Sequence, residues 1–182
     1  MMKKPVLKFT IPIMDYFKTR RNLRNKFIIA VIPAALSLFF AHFLQVNKGV
    51  DICELFSNFI DVQISGIAIL ISFSIAIMTI IVSSGNPSIE KIKNVGASGK
   101  NYKLLNGEKM SLFQVLLSDI TYNILIQIIY LAILFLEMFL QIVCSTQSLK
   151  YFVALDIFFL THILYVLFES VIHMYLTFWK QE

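Results

Sequence analysis

The chain has 182 residues, 58% of them hydrophobic and 15% charged, with a formal net charge of +5 and a mean hydropathy of +0.76. An average soluble domain is about 45–50% apolar and about 25% charged, so a water-soluble globule is a poor fit and most soluble enzyme folds are excluded with it. Seventeen Phe and long uncharged stretches place the chain among the multi-pass membrane proteins.

Residues 1–26 form a basic N-terminal segment carrying Lys3, Lys4, Lys8, Lys18, Arg20, Arg21, Arg24 and Lys26. From 11 to 26, Ile13, Phe17 and Leu23 are interspersed with basic residues. That pattern suits a helix lying on an anionic inner leaflet, and equally a solvated basic tail. A cleaved secretory signal does not fit, because the apolar run that follows exceeds a signal core of about 7–15 residues and Ala41-His42-Phe43 is not a small-x-small cleavage site.

A transmembrane helix needs about 20 mostly apolar residues to cross about 30 Å of hydrocarbon. Four stretches qualify. Residues 27–46 and 62–82 are free of acidic and basic residues apart from His42, and the second ends at the breaker run Ser83-Ser84-Gly85-Asn86-Pro87. Residues 111–144 would make about 50 Å of helix, so the first turns should project and the embedded part begin near Ile120. Residues 151–178 are interrupted by Asp156 and Glu169 but are flanked by aromatics, and they count as the fourth span. The expected fold is an all-α membrane protein: a bundle of four transmembrane helices forming one domain over 27–182, with a hydrophilic connection at 83–110.

Short loops rich in Lys and Arg stay cytoplasmic. Fourteen of the sixteen Lys and Arg fall in the N-terminal segment, the 83–110 connection and the C-terminus, which puts both termini in the cytoplasm and points to a bacterial inner membrane. The positive charge thus reflects topology rather than nucleic-acid binding. Lys18, Arg20, Arg21, Arg24, Lys26, Lys91 and Lys93 are the candidates for contact with the membrane surface or a cytoplasmic partner.

Catalytic and metal motifs are missing from the sequence. Gly96-Ala97-Ser98-Gly99-Lys100-Asn101 has two residues between its glycines and Asn after the Lys, whereas a phosphate-binding loop needs four and a Ser or Thr; it reads as a turn. Ile89, Ile92 and Val95 recur at helical spacing opposite Glu90, Lys91 and Lys93, predicting a short interfacial helix. His42, His162 and His173 lack zinc-site spacing, and no serine-nucleophile motif occurs. No enzyme, cofactor or metal is expected.

The faces of the spans carry more information. Ala30, Ala34, Ser37 and Ala41 share one arc of the first span, and Ser65, Ser72, Ala76, Thr79 and Ser83 share one of the second. Small residues let helices approach closely, so these arcs are expected to pack within the chain or between copies. On the third span Asp119, Asn123, Gln127, Tyr130, Glu137 and Gln141 fall within an arc of about 80°. On the fourth, His162, Glu169 and His173 share a face, with Glu169 and His173 spaced to pair, and Asp156 lies elsewhere on the circumference.

A carboxylate facing lipid costs at least about 2.5–3.5 kcal/mol, so these stripes should point inward. They read either as an ion or proton path or as polar contacts that join helices, with Glu137, Glu169 and His173 the first to test. Antiparallel spans put Glu137 and Asp156 at comparable depth. The same topology puts Cys53 and Cys144 on one side, which leaves a disulfide open.

The sequence therefore points to a small oligomeric membrane protein, channel-like or membrane-perturbing. The alternatives are a non-conducting sensor or scaffold that recruits a cytoplasmic partner, or a subunit of a larger membrane complex. In size and topology the chain resembles small four-span membrane components of bacterial anti-phage defence systems, a likeness of architecture without a shared motif.

Overall fold

The structure is a computed structural model that describes residues 10–20, 23–43, 51–83, 87–96 and 110–179. Of these, 94% are helical, so the fold is all-α. The elements are α1 (Thr10–Thr19), α2 (Leu23–Phe43), α3 (Ile52–Ser83), α4 (Pro87–Asn94), α5 (Leu112–Val143), a 3-10 turn (Thr146–Ser148) and α6 (Leu149–Trp179). Four stretches are long and apolar enough to cross a membrane: Leu23–His42, Ile52–Ser83, Leu112–Val143 and Thr146–Tyr175. This is the make-up of a multi-pass membrane protein. Arg21 and most of the turn sequence at 97–101 lie outside the described residues, as does the side chain of Lys91.

Local chemistry sets the helix ends. α3 starts well ahead of its apolar run because Asp51 caps it: its Oδ1 accepts from the backbone N–H of Cys53 at 2.9 Å and of Glu54 at 3.3 Å, satisfying donors that a bare helix start leaves open. Before α5, Ser111 and Gln114 form a reciprocal capping box. The Ser111 N–H donates to Gln114 Oε1 at 2.9 Å and the Gln114 N–H donates to Ser111 Oγ at 3.2 Å, the S-x-x-Q arrangement. Pro33 lies inside α2, where its missing N–H removes one intrahelical bond.

The chain divides into two compact units, one of Met1–Leu23, Ser74–Leu125 and Val166–Glu182, the other of Arg24–Phe73 and Ile126–Tyr165. The first unit packs Tyr16 of α1 against Tyr122 and Val166, and separately Ile81 of α3 against Leu116 and Ile120 of α5. Its α4 is the expected amphipathic helix. Ile89 and Ile92 are buried and Glu90 and Lys93 exposed, the latter two joined at 3.0 Å; Val95, beyond the last turn, is exposed.

The second unit is cored by Phe56, Ile60 and Ile67 of α3, Tyr130 and Leu134 of α5, and Leu149 and Ile163 of α6. Among the α2 residues whose burial is described, only Lys26 and Ala30 are buried. Of the two small-residue arcs, the α2 arc turns Ala30 inward, whereas on α3 Ser65, Ser72, Ala76, Thr79 and Ser83 are all exposed. The hydroxyls of Ser72, Thr79 and Ser83 each donate to the carbonyl one turn back, at 2.9, 2.9 and 2.6 Å. Ser65 and Ser72 belong to the second unit and Ala76, Thr79 and Ser83 to the first, and none of the five is packed within the chain as predicted.

Candidate functional site

Among the described residues each unit holds a buried carboxylate cluster, and the two differ in how their charges are met. In the first unit, α1 docks through Tyr16, whose ring stacks on Tyr122 with centroids 3.8 Å apart and planes 2° from parallel. Phe17 meets both rings edge-on. One turn after Tyr16 comes Arg20, its guanidinium 5.6 Å from the Tyr16 ring centroid, close enough for cation–π attraction. Arg20 Nη2 reaches Asp119 Oδ1 in a salt bridge whose side chains are 4% and 1% exposed. The other oxygen of Asp119 accepts from His173 Nδ1 at 3.2 Å. Asp119 is thus a buried carboxylate with a cation on one oxygen and an imidazole on the other. The half-buried Glu169 lies within electrostatic reach of Tyr16.

Burial pushes the pKa of the Tyr16 phenol above its ordinary value, the carboxylates of Glu169 and Asp119 push the same way, and Arg20 opposes them. Tyr16 is therefore a neutral wall of the cluster. Asn123, one turn beyond Asp119, is buried with no partner for its Oδ1. It faces a cavity of about 10 Å³ shared with Ser74 and Ser170, at the lower limit for one water molecule.

The second unit holds Glu137 and Tyr130 of α5 beside Asp156 of α6. Glu137 is 2% exposed and the other two are fully buried. All four carboxyl oxygens and the Tyr130 hydroxyl are buried without a hydrogen-bond partner outside the trio, whose side chains lie within hydrogen-bonding reach of one another. Among the described residues, no Lys, Arg or His pairs with either acid. The Tyr130 ring is held by Phe159, stacked at 5.4 Å, and the apolar cluster of Ile67, Leu134 and Ile163 belongs to the same unit.

The remaining predicted residues are placed as follows. Gln127 is fully buried in the second unit. His162, grouped in sequence with Glu169 and His173, lies in a triangle of near-parallel rings with Phe27 at 5.1 Å and Phe158 at 6.3 Å, with the buried Lys26 nearby. Lys18, Arg24 and Lys93 are exposed, whereas Arg20 and Lys26 are buried. Cys53 is exposed and Cys144 half-buried, both as free thiols. Among the described residues no three His, Cys, Asp or Glu stand together as a metal site.

Sequence reasoning missed the Arg20–Asp119 pair; it put Glu137 and Asp156 at comparable depth but set Asp156 off the shared face of its helix, so their meeting was only half legible. For the first, Tyr16 and Arg20 at a spacing of four were the available sign of a second polar face on α1. Comparison of the chain with known protein families, characterised proteins and solved structures yields no match, so its chemistry is read from its own residues.

Proposed function

We propose that this is an ion-handling integral membrane protein, channel-like and assembled from several copies, in which Glu137, Asp156 and Tyr130 take up and release a small monovalent cation, a proton before any other. The observation that carries the reading is the contrast between the two clusters. Asp119 has its cation in Arg20, whereas Glu137 and Asp156 have none among the described residues.

Polar residues kept only to join helices contribute about 0.6 kcal/mol each through the hydrogen bonds they make, and two ionised carboxylates have no proton to share in such a bond. Two carboxylates in hydrocarbon cost about 5–7 kcal/mol on the most lenient scale, far beyond what helix packing returns. A bound cation offsets that cost. Two carboxyl groups and a phenol offer too few oxygens for a calcium site of 6–8 ligands, and a proton is the cation that needs no such shell.

A single four-helix chain encloses little space, so conduction calls for an oligomer, and the outward small-residue arc of α3 suits close contact between copies. The Lys and Arg bias supports cytoplasmic termini in a bacterial inner membrane. The test is the oligomeric mass of the purified protein together with dye-reported proton and potassium flux in liposomes. Proton flux from a defined oligomer supports the reading, and a stable but silent oligomer refutes it.

The second reading is a non-conducting scaffold or sensor, such as the membrane component of an anti-phage defence system. It is favoured by a different observation, the docking of α1 through Arg20. A silent oligomer that captures a cytoplasmic partner through α1 would support it.

A further inference from the structure

A cleft of about 820 Å³ opens in the second unit where α2 ends and α3 and α6 begin. Its walls are apolar, formed by Phe40, Leu55, Phe56, Phe59 and Val153, while His42, Thr146, Gln147 and Lys150 lie at the ends of the helices. The volume falls within the range of about 300–1,000 Å³ typical of small-molecule sites, which share this make-up of apolar walls and a few polar groups.

We propose that this cleft binds a membrane phospholipid with an anionic headgroup, one acyl chain lying against the Phe and Leu walls and the phosphate at Lys150.

Three observations carry the assignment. The first is position. The cleft sits at the last turn of one helix apolar enough to cross a membrane and the first turns of two others, and span ends are where hydrocarbon gives way to headgroups. An apolar concavity at that level holds no stable water, and the apolar molecule present at high concentration there is the lipid chain. The second is charge. Lys150 and His42 line the cleft, and no acidic residue does so among the described residues; a Lys ammonium is a point-charge binder of phosphate.

The third is the way Lys150 is held. Its Nζ lies 5.3 Å from the ring centroid of Tyr151, which fixes the ammonium by cation–π attraction while leaving its N–H donors free for phosphate oxygens. Tyr at this level is itself characteristic of the membrane–water boundary. None of this draws on the cation site, so the two proposals stand or fall separately.

The test is photolabelling of the full chain in nanodiscs with phosphatidylglycerol or phosphatidylcholine bearing a diazirine at the acyl-chain end, followed by peptide mapping. The expected result is labelling concentrated on Phe56, Phe59 and Val153, stronger for phosphatidylglycerol. Lys150→Ala should lower phosphatidylglycerol labelling about fivefold and leave phosphatidylcholine labelling unchanged, while Val153→Trp, which narrows the cleft where the acyl chain lies, should lower both. Labelling spread evenly over exposed α3 residues such as Ile69 and Ile80 would show annular lipid only and overturn the site. Equal labelling by both lipids that ignores Lys150→Ala would overturn the headgroup assignment. The wild-type labelling pattern decides the first question even if a variant fails to fold.

Discussion

Arg20→Ala should release α1 from its unit. Both side chains of the Arg20–Asp119 pair are almost fully buried, at 4% and 1% exposure, so the substitution strands a carboxylate away from water. Removing one partner of a buried pair costs about 3–5 kcal/mol. His173 still reaches Asp119 at 3.2 Å, which places the expected cost near the lower end, about 3 kcal/mol or roughly 100-fold in the equilibrium.

Hydrogen exchange of the α1 amides in mild detergent reads this directly, because local opening is reported by the amides of the element that opens. Arg20→Ala should raise α1 exchange roughly 100-fold while leaving Leu134 and its neighbours in the other unit unchanged. Asp119→Asn should give a smaller rise. The two changes together should cost less than their sum, since each removes the same interaction. Replacing both residues by Leu should be close to neutral, because the desolvation cost disappears along with the pair. Unchanged α1 exchange in Arg20→Ala, or strict additivity, would refute the clasp.

Three further outcomes follow from named contacts. Below about pH 10 Tyr16 is neutral in both folded and unfolded chains, but above it the unfolded chain ionises first, because the folded pKa is raised; stability from this residue is therefore lost as pH rises past 10, and Tyr16→Phe should show a shallower alkaline fall in thermal unfolding. Ser111→Ala removes the 3.2 Å bond to the Gln114 N–H and should cost about 1 kcal/mol, seen as faster exchange confined to the first turn of α5. Cys53, exposed where Cys144 is half-buried, should react first with a membrane-impermeant maleimide applied from outside intact spheroplasts. Labelling only after lysis would reverse the proposed orientation.

The helical spans were legible because lipid demands long apolar helices, and that demand is written residue by residue. The inward turn of the α5 stripe was legible too. Asp119, Asn123, Gln127, Tyr130 and Glu137 recur on one face, and a polar face cannot be left in lipid; all five are at most 2% exposed. What periodicity along one helix cannot show is the partner across the gap. Asp119 meets an Arg 99 residues away, and Asp156, off the shared face of α6, meets Glu137. His162 shares an arc with His173, yet it stacks on Phe27, because depth along the helix separates residues that a helical projection superimposes. The start of α3 was missed for a simpler reason: Asp61, Glu54 and Asp51 break the apolar run, although Asp51 is the cap.

The measurement that tests the central claim most directly is proton flux through liposomes containing the Glu137→Gln, Asp156→Asn double variant, at protein incorporation matched to wild type. The double substitution keeps size and hydrogen-bonding capacity and removes both charges. If the pair takes up and releases the cation, flux should be lost while the oligomeric mass is unchanged. Wild-type flux from the double variant at every pH would contradict the account and leave Glu137 and Asp156 as helix contacts alone.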